Sequence, residues 1–171
     1  MMKKIFLSAL ALPLLTAPLL TGCGFTPLHG ASAGANAAKF EDITIQVTDG
    51  KDAGDKEAGF LVMQRLRDRV GENTGKHILE LTPSLRRQRL GISADDVASR
   101  YDNILSMRYK LIDAKSGKIL DSGSVKGTTT FGAPIDPYGI VAADNNAKQQ
   151  IAKEVADRLL IKLAGYYTEN P

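Results

Sequence analysis

The spacing of apolar residues along the chain switches between two periods, and the switches mark out its elements. Ile43, Ile45 and Val47 alternate with Asp42, Thr44 and Gln46, which predicts a strand buried on one side. Asp49-Gly50 ends it, and a polar stretch runs to Asp55. From Glu57 to Val70 the period lengthens. Val62, Leu66 and Val70 recur every fourth residue, with Gly59 and Met63 beside them and Arg65, Arg67, Asp68 and Arg69 elsewhere, an amphipathic helix stopped near Gly71. Period two then returns. Leu79, Leu81 and Leu85 share a face over Ile78–Arg87. Tyr101, Leu105, Met107, Tyr109 and Leu111 share another, with Arg100, Asp102, Ser106, Arg108 and Lys110 opposite. Lys115-Ser116-Gly117-Lys118 predicts a tight turn into a fourth strand, Ile119–Phe131, whose Thr, Ser and Gly content suits an edge. Gly132–Gly139, with Pro134 and Pro137, reads as a loop. A long helix closes the pattern over Val141–Tyr166, striped by Ile151, Val155 and Leu159 and widened by Ala152, Ala156, Leu160 and Leu163.

The order β-α-β-β-β-α predicts an α+β fold. A strand–helix–strand unit favours a parallel right-handed crossover, and the meander after it is antiparallel. Each helix has one apolar stripe, so both belong on one face of a mixed four-stranded sheet, a two-layer sandwich whose other face is polar and open.

The front of the chain obeys different rules. Lys3 and Lys4 precede an apolar run, Ile5–Leu20, which leads into Leu20-Thr21-Gly22-Cys23. Charged, apolar and small-residue regions in that order make a secretory signal. Pro13 and Pro18 interrupt the run, which falls short of the ~20 residues a membrane-spanning helix needs. Leu, a small residue and Gly before Cys form a lipobox, so Cys23 is expected to be acylated and the chain cut before it. More than one acyl chain anchors firmly. Gly24, not Asp, follows the cysteine, which points to the outer membrane and its periplasmic side. The expected organisation is a signal peptide over 1–22, an acylated N-terminus and tether over 23–38, and one domain over 39–171.

Charge and chemistry narrow the function. The net charge of the 171-residue chain is +3, and without Lys3 and Lys4 it is +1, so bulk charge makes no case for nucleic acid. Cys23 is the sole cysteine, and its acylation would leave no thiol for a disulfide, cluster or nucleophile. His29 and His77 lie far apart and fit no metal spacing, so no metal or other cofactor is expected. Asp95-Asp96 and Asp136 sit in turn-like stretches where Asp bonds locally. No nucleophile, base and orienting group come together, so the chain is expected not to be an enzyme.

One cluster invites a ligand. Leu85-Arg86-Arg87-Gln88-Arg89-Leu90-Gly91 carries three guanidinium groups at the end of the second strand, entering the next loop. Arginine forks hold phosphates bidentately, which suits a phosphorylated lipid or glycolipid headgroup. Arg100, Arg108 and Lys126 extend the patch across the open sheet face. The competing reading is that these charges only protect strands and loops from edge pairing.

The lipobox running into Gly22-Cys23-Gly24-Phe25-Thr26-Pro27-Leu28-His29-Gly30, with the element order that follows, resembles the LptE family of lipopolysaccharide-assembly lipoproteins. His29 stands where that family more often has Tyr. The resemblance implies a lipoprotein that plugs the lumen of the LptD-type outer-membrane β-barrel, helps assemble it, and assists delivery of lipopolysaccharide to the outer leaflet by binding it. Two other readings remain open. One is a lipid-binding auxiliary lipoprotein of an envelope ABC-type transporter, separable by what co-purifies. The other is a lipid-anchored hydrolase, separable by loss of activity on replacing one Ser, His or Asp.

Overall fold

Three long strands are tied together by pairing from end to end, and the fourth pairs with only one end of an outer one. The computed structural model describes residues 40, 42–48, 50–70, 75–92 and 98–170. The signal, Cys23, the tether, His29 and Asp95-Asp96 lie outside the described residues. The elements are β1 (Ile43–Val47), α1 (Ala53–Val70), β2 (His77–Ile92), β3 (Ala98–Asp113), β4 (Ile119–Gly132) and α2 (Pro137–Glu169). The sheet order is β1-β2-β3-β4, with β1 parallel to β2 and the other pairs antiparallel. The mixed sheet and the edge position of β4 are as the pattern predicts.

Both helices lie on one face. A Cβ on Gly59 of α1 would meet Val47 and Pro83, and one on Gly127 of β4 would meet Val155 and Ile151 of α2 at 3.0 and 3.1 Å. Val47, Pro83 and Gly127 all share the face that carries Leu79, Leu81, Leu105 and Met107, each fully buried. Val62 and Leu66 from α1 and Ile151, Val155, Leu159 and Leu163 from α2 complete the core. A residue larger than glycine at position 127 would overpack this contact.

Several boundaries differ from those the spacing predicts, each for a local reason. α1 starts at Ala53, not Glu57, because Asp52 caps it. Its Oδ1 accepts the Asp55 N–H at 2.9 Å. Asp55 itself is buried and accepts the N–H groups of Lys51 at 3.0 Å and Leu85 at 2.6 Å. The Leu85 N–H points to the side where β1 has already ended, so this carboxylate replaces a missing strand. Pro83, two residues earlier on the same edge, has no N–H to satisfy. β2 runs on to Ile92, so the arginine cluster sits within a strand, not at the entry to a loop. α2 starts at Pro137, capped by Asp136, whose carboxylate accepts the Gly139 N–H at 2.8 Å. The predicted turn before β4 is present. Gly117 adopts φ 69, and Asp113 accepts from Ser116.

Candidate functional site

Strand alternation decides which of the basic residues can act together. On β2, Arg86 faces away from the helices, opposite Ile104 of β3. Arg100 and Arg108 face the same way on β3, and Lys126 does so on β4, opposite Ser106. From strand spacing, the Lys126 Cα lies about 8 Å from that of Arg108 and about 12 Å from that of Arg86. Arg100 sits further along, between Leu90 and Gly132. Below these residues a shallow depression of about 430 Å³ is lined by Glu80, Thr82, Arg108, Lys110 and Ser122.

The face carries Arg86, Arg100, Arg108, Lys110 and Lys126 against Glu80 and Asp102, a net +3. Lys110 is 3.8 Å from Glu80. Asp102 accepts from the Thr130 hydroxyl at 2.6 Å. Among the described residues, Arg86, Arg100, Arg108 and the Lys126 ammonium have no acidic partner. The helix side is different. There Arg69 meets Asp157 at 4.0 Å, Lys148 meets Glu57 at 2.6 Å, and Arg158 meets Glu154 at 2.5 Å. On the open face, among the described residues, Lys110 alone of the five cations has an acidic partner.

The cluster of Arg86, Arg87 and Arg89 is therefore divided. Alternation turns Arg87 and Arg89 toward the helix side, opposite Asn103 and Tyr101. Arg87 is ion-paired with Asp144 of α2, and its Cζ lies 5.7 and 5.9 Å from the ring centroids of Tyr101 and Phe131, which stack on each other. Asp144 is the hub of a network that the sequence pattern does not reveal. It also accepts from the Asn103 amide at 2.9 Å and lies 3.1 Å from Lys148. Burial pushes the Asp144 carboxyl up, but hydrogen bonds from Asn103, Lys148 and Arg87 and the Arg87 charge outweigh it, so the group is held below the usual carboxylate range. Burial likewise acts against the charge on Lys148, and its bonds to Glu57 and Asp144 prevail, raising it above the usual lysine value. This arginine is a structural strut.

His77 also has a structural place, its Nδ1 2.9 Å from the Tyr167 hydroxyl. Tyr109 donates to Asp121 at 2.9 Å, and its hydroxyl is pushed up to about 12 by burial, then by that bond and by the Asp121 charge. Among the described residues there is no group of three His, Cys, Asp or Glu able to hold a metal ion, and no helix long and apolar enough to cross a membrane.

A family model described as LptE, lipopolysaccharide-assembly, matches residues 40–163. Among solved structures the chain is similar to a Caulobacter crescentus protein described as a lipoprotein, with 23% identity over 80% of this chain and 98% of that one and a TM-score of 0.63. It is also similar to rare lipoprotein B from Shewanella oneidensis, with 17% identity over 74% of this chain and 96% of that one and a TM-score of 0.55. An uncharacterized lipoprotein B from Nitrosomonas europaea gives 12% identity over 74% and 83% and a TM-score of 0.56. At these identities the likeness is one of fold. No curated protein matches the chain in sequence.

Proposed function

Since the chain belongs to the LptE lipopolysaccharide-assembly family, we propose that its uncovered sheet face binds lipopolysaccharide through the phosphates of the glycolipid, with Arg86, Arg100, Arg108 and Lys126 as the contacts. The observation that carries this reading is the set of unpaired cations on one face. Protection of strand edges does not account for Arg100 and Arg108, which lie on β3 with a neighbour on each side. Guanidinium groups on this face, with hydroxyls of Thr82, Ser106 and Ser124 between them, offer charge-assisted and neutral hydrogen bonds to one anionic headgroup. No bond is made or broken in this role. The protein holds and hands on its cargo.

In the same proposal residues 1–22 direct export, and acylated Cys23 anchors the chain on the periplasmic side of the outer membrane. The domain plugs an LptD-type β-barrel and helps it assemble. A barrel lumen is polar, and a polar open sheet face suits it.

Replacing Arg86, Arg100, Arg108 and Lys126 together with Gln is expected to weaken lipopolysaccharide binding about ten- to hundredfold and to flatten its salt dependence. All four are exposed, so the melting temperature should hardly move. Binding that survives the change would sink the reading. For the barrel, the tagged acylated chain extracted in mild detergent is expected to bring down a large outer-membrane β-barrel in about equal amount. An inner-membrane transporter in its place would favour the auxiliary-lipoprotein reading.

A further inference from the structure

Backbone alternation settles where each strand aims its polar groups. The His77 N–H donates to the Asp42 carbonyl, and the Leu81 carbonyl accepts from Thr48. Odd-numbered residues of β2 therefore turn their N–H and C=O groups toward β1, and even-numbered ones turn theirs toward β3. The pairing register carries this alternation across β3, so odd-numbered residues of β4 bond to β3 and even-numbered ones point outward. No strand lies beyond β4 in the sheet. Ser122, Ser124, Lys126, Thr128 and Thr130, all exposed, thus present an outward row of donors and acceptors about 27 Å long.

Such a row is a template for another strand. On the opposite side of the sheet, past the end of β1, Pro83 has no N–H and Asp55 of α1 accepts the Leu85 N–H. The matching group on β4 is Arg158 of α2, whose guanidinium donates to the Lys126 carbonyl in the middle of the outward row. A carboxylate covers a donor on one edge, and a guanidinium covers an acceptor on the other. Glu154, one turn back on α2, holds Arg158 at 2.5 Å. Gly127 lets this part of the helix lie close, since a Cβ there would be 3.0 Å from Val155 and 3.4 Å from the Glu154 carboxylate. Among the described residues no other hydrogen bond reaches the outward backbone groups of the row.

We infer that Arg158 closes the β4 edge against a second copy of this chain. Two copies bring the same row, and two such rows can pair antiparallel about a two-fold axis, where one patch serves both partners. In the register that uses the whole row Lys126 lies at the centre, so each copy must first give up the bond from Arg158 to its carbonyl. The two Lys126 ammonium groups then also stand opposite each other on the open face, and like charges directly opposite disfavour the pair. The edge is shut by one side chain, so a single substitution opens it.

The test is sedimentation equilibrium of the full chain in mild detergent at matched density, over about a hundredfold range of concentration. The wild type is expected to stay monomeric. Arg158→Ala is expected to self-associate at least about tenfold more tightly, with its melting temperature hardly changed because an exposed ion pair contributes little to folding. Arg69→Ala, which loses a comparably exposed pair with Asp157 between the helices, should stay monomeric. Adding Thr128→Pro to Arg158→Ala removes an outward N–H that the fold does not use and should restore the monomer. Ser124→Pro is the equivalent change at another outward position. A monomeric Arg158→Ala variant would overturn the inference, as would association that persists with either proline or appears equally in Arg69→Ala. So would a wild-type chain that is already dimeric.

Discussion

Truncating Leu159 to alanine is expected to lower the unfolding free energy by about 3–4 kcal/mol, the largest effect of any single change considered. Leu159 is fully buried on the stripe of α2 that also carries Val155 and Leu163. It sits between two layers that cannot both move in. The strands are fixed by continuous pairing, and α2 is held in the helix layer by its ties to α1, Lys148–Glu57 and Arg69–Asp157. The space left by the lost methyl groups therefore stays open, and the cavity adds to the transfer cost. A domain of this size has about 5–15 kcal/mol in all, so the variant would unfold at a clearly lower urea midpoint with an unchanged slope. Ile161→Ala, on the same helix but 65% exposed, is the control and should cost under about 0.5 kcal/mol. A Leu159 variant that matched this control would show that the two layers can close over the gap.

Asp144→Ala comes next, at about 2–3 kcal/mol at neutral pH. The change removes the acceptor of Asn103, which is 1% exposed and has no route to water, and takes one partner from Arg87 and another from Lys148. Lys148 keeps Glu57, and the half-exposed Arg87 rehydrates, so the cost stays below that of a fully buried pair left broken. The effect has a pH signature. The folded Asp144 carboxyl titrates below its ordinary value, so its contribution is complete above the unfolded pKa of about 3.9 and is lost as pH falls through the lower folded value. Wild type and variant should thus differ most at neutral pH and converge in acid, as read from urea midpoints at pH 7 and pH 3. A difference that is constant with pH would mean the carboxylate's charge is not what holds the hub.

What could be read from the sequence follows from what is encoded locally. The β3 alternation from Tyr101 to Leu111 and the stripes Val62-Leu66-Val70 and Ile151-Val155-Leu159 each fix a face by spacing alone, and the layers follow from them. The same alternation turns Arg100, Arg108 and Lys126 outward. The far half of β2 was not legible. Arg86, Arg87, Gln88 and Arg89 show no change of polarity, and that stretch is a strand because β3 pairs with it. Arg87 faces inward to an acid 57 residues later on α2, and no short-range pattern carries that information. Asn103, a lone polar residue on an apolar face, was the available hint of the hub. Asp52 and Asp55 looked like loop residues because capping and loop chemistry use the same side chains.

The pairing scheme also sets an order of events in time. β2, β3 and β4 are joined by short connections and pair with their sequence neighbours, so the meander can form as soon as its residues exist. β1 pairs with β2 only across the whole of α1, and with five residues alone. A chain made from its N-terminus presents β1 and α1 first, yet neither has a surface to settle on until β2 and β3 have met. The first-made elements of the domain are then among the last to dock. Until they do, the apolar side of Leu79 and Leu81 stays open to any holding factor that meets the newly made protein.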